Sequence, residues 1–190
     1  MKRSDKCENT VVLGITGASG AIYGIRIAEV LYDLGYDLYI IITRNGKRVL
    51  SSEVRDWKKR LERLSKDVHD ITTADRYISG STKFKMLIVA PCTINTLVKS
   101  ALGISDNNLL RTVQVGIKEG VPVGFLVREM PWPPQAFRAA YELSLMGVKV
   151  VPASPPFYGN ISTLQDLVDS VIGRFLKVMG VENNLYKRWR

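Results

Sequence analysis

The sequence predicts an α/β protein, a three-layer α/β/α sandwich around an open, mostly parallel sheet. Three observations carry that expectation. Short apolar runs near residues 11–15, 38–42, 86–90, 121–127 and 148–151 alternate with segments of helical periodicity. The runs are continuous rather than alternating, as in strands buried on both faces. Polar residues gather just after each run, at the strand ends where such sheets bind ligands.

The first run passes through Gly17-Ala18-Ser19-Gly20 into an apolar helical pattern. Gly17 and Gly20 suit a sharp turn or a close backbone approach. Ser19 is expected at the helix N-cap, where free amides and the helix dipole favour an anion such as a phosphate. A tight βα turn without a ligand would read the same way. The spacing is not G-x-G-x-x-G, so no dinucleotide fingerprint is present.

Gly24, Ile27, Ala28, Leu31 and Leu34 recur at helical spacing, and Gly35 stops that helix. The second run ends in the polar loop Thr43-Arg44-Asn45-Gly46, and residues 47–64 read as one charged helical segment containing Glu53. Residues 65–83 lose periodicity and suggest a lid or a disordered connection. His69, the sole histidine, lies there between two aspartates and reads as a surface residue.

The third run enters Pro91-Cys92-Thr93-Ile94-Asn95-Thr96, whose polar atoms suit both helix capping and ligand binding. Helices are expected over 97–102 and 109–117, with Lys118 near the end of the latter. The fourth run ends at Arg128-Glu129-Met130-Pro131-Trp132-Pro133-Pro134, with prolines suited to a helix entry. In the last segment Leu164, Leu167, Val168, Val171, Ile172, Phe175, Leu176 and Met179 follow i, i+3, i+4 spacing, and Ser162 with Gln165 has capping-box spacing. Arg174 falls on the flank of that stripe, free to snorkel or to enter a neighbouring cleft. The whole reads as one domain over residues 1–190 with a polar tail at 1–10 and a Rossmann/flavodoxin-like sheet.

Composition narrows the function. The apolar fraction of 46% and charged fraction of 24% are those of a soluble globular protein. The chain lacks a membrane-length apolar run and an apolar signal core near the N-terminus, so a cytoplasmic protein without membrane association is expected. Two cysteines make no disulfide framework, and no Cys/His cluster suggests a metal. The net charge of +9 raises nucleic acid as a partner. However, the basic residues are interleaved with acids or confined to the terminus, so a solvated face or a phosphorylated small molecule is the better reading.

Several motifs together resemble a known family. Gly17-Ala18-Ser19-Gly20-Ala21-Ile22-Tyr23-Gly24, Pro91-Cys92-Thr93-Ile94-Asn95-Thr96-Leu97, Asp106-Asn107-Asn108-Leu109-Leu110, Arg128-Glu129-Met130-Pro131 and Pro155-Pro156-Phe157-Tyr158 are similar to those of UbiX/Pad1-type flavin prenyltransferases. The Asp-Asn-Asn-Leu-Leu piece is shared with flavin-dependent cysteine decarboxylases. The resemblance implies an enzyme joining a dimethylallyl group from dimethylallyl monophosphate to reduced FMN at N5 and C6. Its product, prenylated FMN, would pass to a UbiD-type decarboxylase.

By the same resemblance, Gly17, Ala18, Ser19, Thr43, Thr93, Ile94, Asn95, Thr96 and Arg128 would hold FMN. Lys118, Glu129, Tyr158 and Arg174 would hold the substrate phosphate, with fixed cations in place of a metal. Ser19, Glu53 and Glu129 would be catalytic, the first two handling protons near the flavin. Thr43 and Thr93 stand where serine is common, and Trp132-Pro133-Pro134 is bulkier than the family pattern. The resemblance also implies a homo-oligomer, commonly a dodecamer, with the site at subunit contacts, and Trp57, Trp132 and Trp189 are expected to be exposed. The alternatives are an FMN-dependent cysteine or phosphopantothenoylcysteine decarboxylase, for which His69 would have to approach the flavin, and a non-catalytic flavin-binding protein.

Overall fold

The structure, a computed structural model, describes residues 9–65, 67–70, 83–157 and 161–186. Six strands form one parallel sheet: β1 (Thr10–Ile15), β2 (Asp37–Ile42), β3 (Asp67–Asp70), β4 (Met86–Cys92), β5 (Val123–Val127) and β6 (Lys149–Pro152). Their spatial order is β3-β2-β1-β4-β5-β6. Helices α1 (Ala21–Asp33), α2 (Arg44–Glu53), α3 (Trp57–Leu64) and α7 (Leu164–Val178) cover one face. Helices α4 (Ile94–Ala101), α5 (Asn108–Lys118) and α6 (Pro134–Leu145) cover the other.

Each central strand feeds both layers. In β1, Val11, Leu13 and Ile15 join the core beneath α1 and α7, while Val12 joins the core beneath α5 and α6. That two-sided burial accounts for the continuous apolar runs. Strand order reverses between β1 and β4, and the loops after those strands diverge to open a crevice.

The structure departs from the sequence reading at several points. Part of the polar 65–83 stretch is the edge strand β3, paired in parallel with β2 from Tyr39↔Asp67 to Ile42↔Asp70. This strand converts a five-stranded flavodoxin-like order into the six-stranded Rossmann order. Residues 71–82 of that stretch lie outside the described residues. The single helix expected over 47–64 is two, separated at Val54, which is buried and extended, and at Asp56, which adopts φ 53°. Aspartate tolerates that left-handed conformation better than most residues.

Two helix starts also shift. The N-cap of α1 is Gly20 at φ 88°, not Ser19. The capping box of α7 pairs Thr163 with Asp166, not Ser162 with Gln165. The amides of Ser162 and Thr163 and both their hydroxyls hold the Asp166 carboxyl down to about 2. Trp57 and Trp132 are partly buried against the two cores rather than exposed, and Trp189 lies outside the described residues. Among the described residues no helix is long and apolar enough to cross a membrane.

Gly46 fixes how α2 meets the sheet. A Cβ there would lie 2.5 Å from the backbone oxygen of Ile15. Gly46→Ala must push α2 off the end of β1, and overpacking of this kind costs about 1–3 kcal/mol. The variant is expected to lose roughly 2–12 °C in Tm, measured by circular dichroism. An unchanged Tm would mean that α2 can slide freely.

A candidate flavin cleft at the strand ends

The crevice between β1 and β4 has a volume of about 550 Å³. Its floor is built around Thr16, which is 1% exposed. The Thr16 hydroxyl donates to the carbonyl of Pro91 (2.7 Å) and accepts from the amide of Thr93 (2.9 Å). Gly17, Ala18 and Ser19 follow along one side. A side chain at Gly17 would strike Asn45, with a Cβ–Cβ distance of 2.5 Å, so glycine lets the turn and α2 approach each other.

Three helices present their N-termini to the crevice. Thr43 caps α2 by accepting from the amide of Gly46, and Arg44 and Asn45 add side chains to the wall. Thr93 caps α4 by accepting from the amide of Thr96, while the two hydroxyls lie 3.0 Å apart. Asn107 caps α5 by accepting from the amide of Leu110, and both residues line the crevice. Lys99 pairs with Asp106, tying the end of α4 to the turn before that cap. Arg128 and Glu129 complete the rim.

The chain's own carboxylates occupy two helix N-termini. Glu53 Oε2 accepts from the amides of Gly20 (2.7 Å) and Ala21 (2.9 Å), so it caps α1 from the far end of α2. This corrects the expectation of an open anion site at those amides. Glu129 Oε2 accepts from the amide of Ile94 (2.9 Å) at the start of α4. Among the described residues no carboxylate caps α2, whose cap is the neutral Thr43. Arg128 donates from Nε to the carbonyl of Ser19 (2.8 Å), bracing the β1 turn from across the switch point.

Burial alone would raise the pKa of Glu53. The Ser19 hydroxyl, the amides of Ala21 and Gly20 and the Arg128 charge outweigh it and hold the carboxyl below its ordinary value. The ionised form therefore stabilises the fold above the unfolded-state pKa, and that contribution is lost as pH falls through the lowered folded-state value. Wild type and Glu53→Gln are expected to differ in Tm at neutral pH and to converge in acid. A constant difference across the pH series would contradict this assignment. Tyr23 is shifted up, chiefly by burial, with Arg128 opposing. Burial first, then the Glu129 charge, pushes the Cys92 thiol far above its usual range, so it supplies no thiolate nucleophile at neutral pH.

Most of the residues singled out from sequence meet here. Gly17, Ala18, Ser19, Thr43, Thr93, Asn95, Thr96, Arg128 and Glu129 line the crevice. Ile94 is buried and contributes its amide, and Glu53 does not line the crevice but bonds to Ser19, which does, and to the amides of Gly20 and Ala21 behind it. Lys118 and Arg174 do not line it. Lys118 is in the last turn of α5, eight residues beyond the lining Leu110, and it pairs with Glu119 at 3.0 Å. Arg174 is exposed in the middle of α7. Tyr158 lies outside the described residues.

His69 stacks on Tyr39 at 4.5 Å, on the sheet's edge strand, and does not line the crevice. Among the described residues no cluster of acids, histidines and cysteines could hold a metal. Thr16, Arg44, Asn45, Asn107 and Leu110 join the site without having been assigned roles from sequence. Their place directly after a strand or at a helix start was the available signal.

Comparison with known proteins agrees with this geometry. Residues 1–176 match the Flavoprotein family. The chain is 38% identical to the flavin prenyltransferase UbiX of Aquifex aeolicus, covering 95% of this chain and 98% of the relative. It is 33% identical to UbiX of Saccharolobus solfataricus, covering 95% and 92%. Among solved structures, AnUbiX (PadA1) in complex with FMN and dimethylallyl pyrophosphate superposes with a TM-score of 0.91 at 27% identity, covering 96% of this chain and 98% of that one. A dodecameric FMN-dependent Ubix-like decarboxylase from Escherichia coli O157:H7 gives a TM-score of 0.91 at 29% identity, covering 95% and 99%.

Proposed function

The chain belongs to the UbiX/Pad1-like flavin prenyltransferase superfamily, and from that premise we propose that it transfers a dimethylallyl group from dimethylallyl monophosphate to N5 and C6 of reduced FMN. The observation that carries the reading is the crevice itself. Its volume suits a cofactor-sized ligand, and hydroxyls, amide side chains and Arg128 converge on it from four strand ends. The glycine at position 17 supports close backbone approach.

The flavin supplies the nucleophilic positions when bound. Around it, Gly17, Ala18, Ser19, Thr43, Thr93, Ile94, Asn95, Thr96 and Arg128 hold its polar groups. The N-termini of α2 and α5, capped by the neutral Thr43 and Asn107, favour its phosphate, because the first amides of α1 and α4 already hold Glu53 and Glu129. Breaking the allylic C–O bond releases phosphate and leaves cationic character on the prenyl carbon. Lys118, Arg174 and Tyr158 receive that phosphate, the two cations in place of a metal, and Glu129, held by the Ile94 amide, orders the rim of the substrate site beside it. The Glu53 carboxylate, held ionised beside Ser19, takes up a flavin proton as the new ring closes and stabilises the developing charge.

Because Lys118 and Arg174 lie outside the crevice of their own chain, their role needs neighbouring copies. The protein is therefore read as a homo-oligomer, as in the dodecameric relative from Escherichia coli. Prenylated FMN would leave for a UbiD-type decarboxylase. The decarboxylase alternative keeps the shared Asp106–Leu110 motif but finds no histidine in the crevice of its own chain, since His69 sits at the sheet edge.

Mass spectrometry of the flavin after anaerobic incubation with FMNH₂ and dimethylallyl monophosphate tests the reading. A flavin heavier by one dimethylallyl unit is expected. Unmodified flavin would return the protein to the decarboxylase or non-catalytic alternatives.

A further inference from the structure

Two cations line the crevice, Arg44 and Arg128, and their surroundings differ. Arg128 is committed: its Nε donates to the carbonyl of Ser19 (2.8 Å), and its charge acts on the Glu53 carboxylate. Arg44 is the first residue of α2, and its side chain is exposed to the crevice. Among the described residues no carboxylate or carbonyl pairs with its guanidinium.

The backbone around Arg44 adds to its charge. Thr43, the cap of α2, is neutral and spends its hydroxyl on the Gly46 amide. The amides of Arg44 and Asn45 bond to nothing among the described residues. Arg48, one turn further on, has Nη1 3.5 Å from Asn45 Oδ1, so a second cation stands behind the same wall. The other helix starts are less open to an anion. Glu53 and Glu129 hold amides of α1 and α4, and Asp106 lies beside the cap of α5, accepting from Asn107 Nδ2 at 3.0 Å. Among the described residues, an unpaired cation and free donors coincide in the crevice at the start of α2.

We propose that Arg44 reads the phosphate of the bound flavin and makes the crevice selective for FMN over unphosphorylated riboflavin. A phosphate monoester carries about two negative charges at neutral pH and about three strong acceptor oxygens. The guanidinium fork engages a pair of them while the α2 amides take another. Riboflavin ends in a neutral hydroxyl at the same place and leaves Arg44 with no anion to pair. Arg128 keeps its bond to Ser19 with either flavin, so the discrimination falls on Arg44. The inference rests on the flavin reading of the crevice above and not on prenyl transfer, so its test reads binding alone.

Wild type, Arg44→Gln, Arg44→Lys and Lys58→Gln are titrated with FMN and with riboflavin by calorimetry, with circular dichroism as the check of fold. Wild type is expected to bind FMN at least about tenfold more tightly than riboflavin. Arg44→Gln should weaken FMN binding about ten- to a hundredfold, the loss of a charge-assisted contact, and leave riboflavin binding unaffected. Arg44→Lys keeps the charge, loses the fork and should recover part of the preference. Lys58→Gln removes the same charge from α3, outside the crevice, and should leave both affinities unchanged. Unchanged FMN affinity in Arg44→Gln, or an equal loss for FMN and riboflavin, would overturn the proposal. So would an equal loss in Lys58→Gln, which would make the effect one of overall charge. A wild type that binds both flavins alike would overturn the selectivity and leave the flavin site standing, whereas one that binds neither would overturn both.

Discussion

Arg174→Ala should raise the Michaelis constant for dimethylallyl phosphate about ten- to a hundredfold, the loss expected for one charge-assisted hydrogen bond. Flavin binding should stay nearly intact. Arg174 lies mid-way along α7, exposed and away from the crevice of its own chain. A phosphate it holds must therefore sit in a neighbour's crevice. Chains carrying Arg174→Ala, mixed with chains carrying Glu53→Gln, should then turn over faster at low substrate concentration than either variant alone, because some sites draw one intact residue from each. Unchanged kinetics in Arg174→Ala would leave Arg174 a solvated cation whose methylenes cover α7.

Glu53→Gln should lower turnover at saturating substrate at least about tenfold while FMN and dimethylallyl phosphate still bind. Glutamine keeps one oxygen that can accept from Gly20 and Ala21, so the cap of α1 is weakened rather than removed. What disappears is the negative charge beside Ser19, and with it the base proposed above for the flavin proton. An effect on turnover without an effect on binding is the signature of an interaction made in the transition state. Stopped-flow measurement of flavin prenylation decides the matter. A wild-type rate would reduce Glu53 to a helix cap.

The sequence carried the layers and the crevice because both follow from local pattern. Continuous apolar runs marked β1, β2, β4 and β5, and the hydroxyls of Thr43 and Thr93 announced helix starts at strand ends. Strand β3 escaped because Asp67-Val68-His69-Asp70 has too few apolar residues at a sheet edge, where only one neighbour pays for pairing. The split between α2 and α3 rests on the turn at Asp56, which no periodicity displays. Ser19 lost its cap position to Gly20 because the capping oxygen comes from Glu53, thirty-three residues away. Such a contact depends on how α2 crosses the start of α1, a tertiary fact. Glu129 meeting Ile94 belongs to the same class. Lys118 and Arg174, given roles only by resemblance, lie outside the crevice of their own chain.

Thr16 bears on motion. One buried hydroxyl, bonded to both Pro91 and Thr93, stitches the end of β1 to the end of β4 at the bottom of the crevice. The floor therefore behaves as a fixed hinge line. Motion that admits a ligand is then expected in its walls, in the α2 side beyond the contact of Gly46 with Ile15 and in the loop that carries Glu129 beyond the bond from Arg128 to Ser19. Breathing should consequently be asymmetric about the switch point. Amide exchange should be slow at Thr16 and Thr93, and it should quicken towards Asn45 on one side and Met130 on the other.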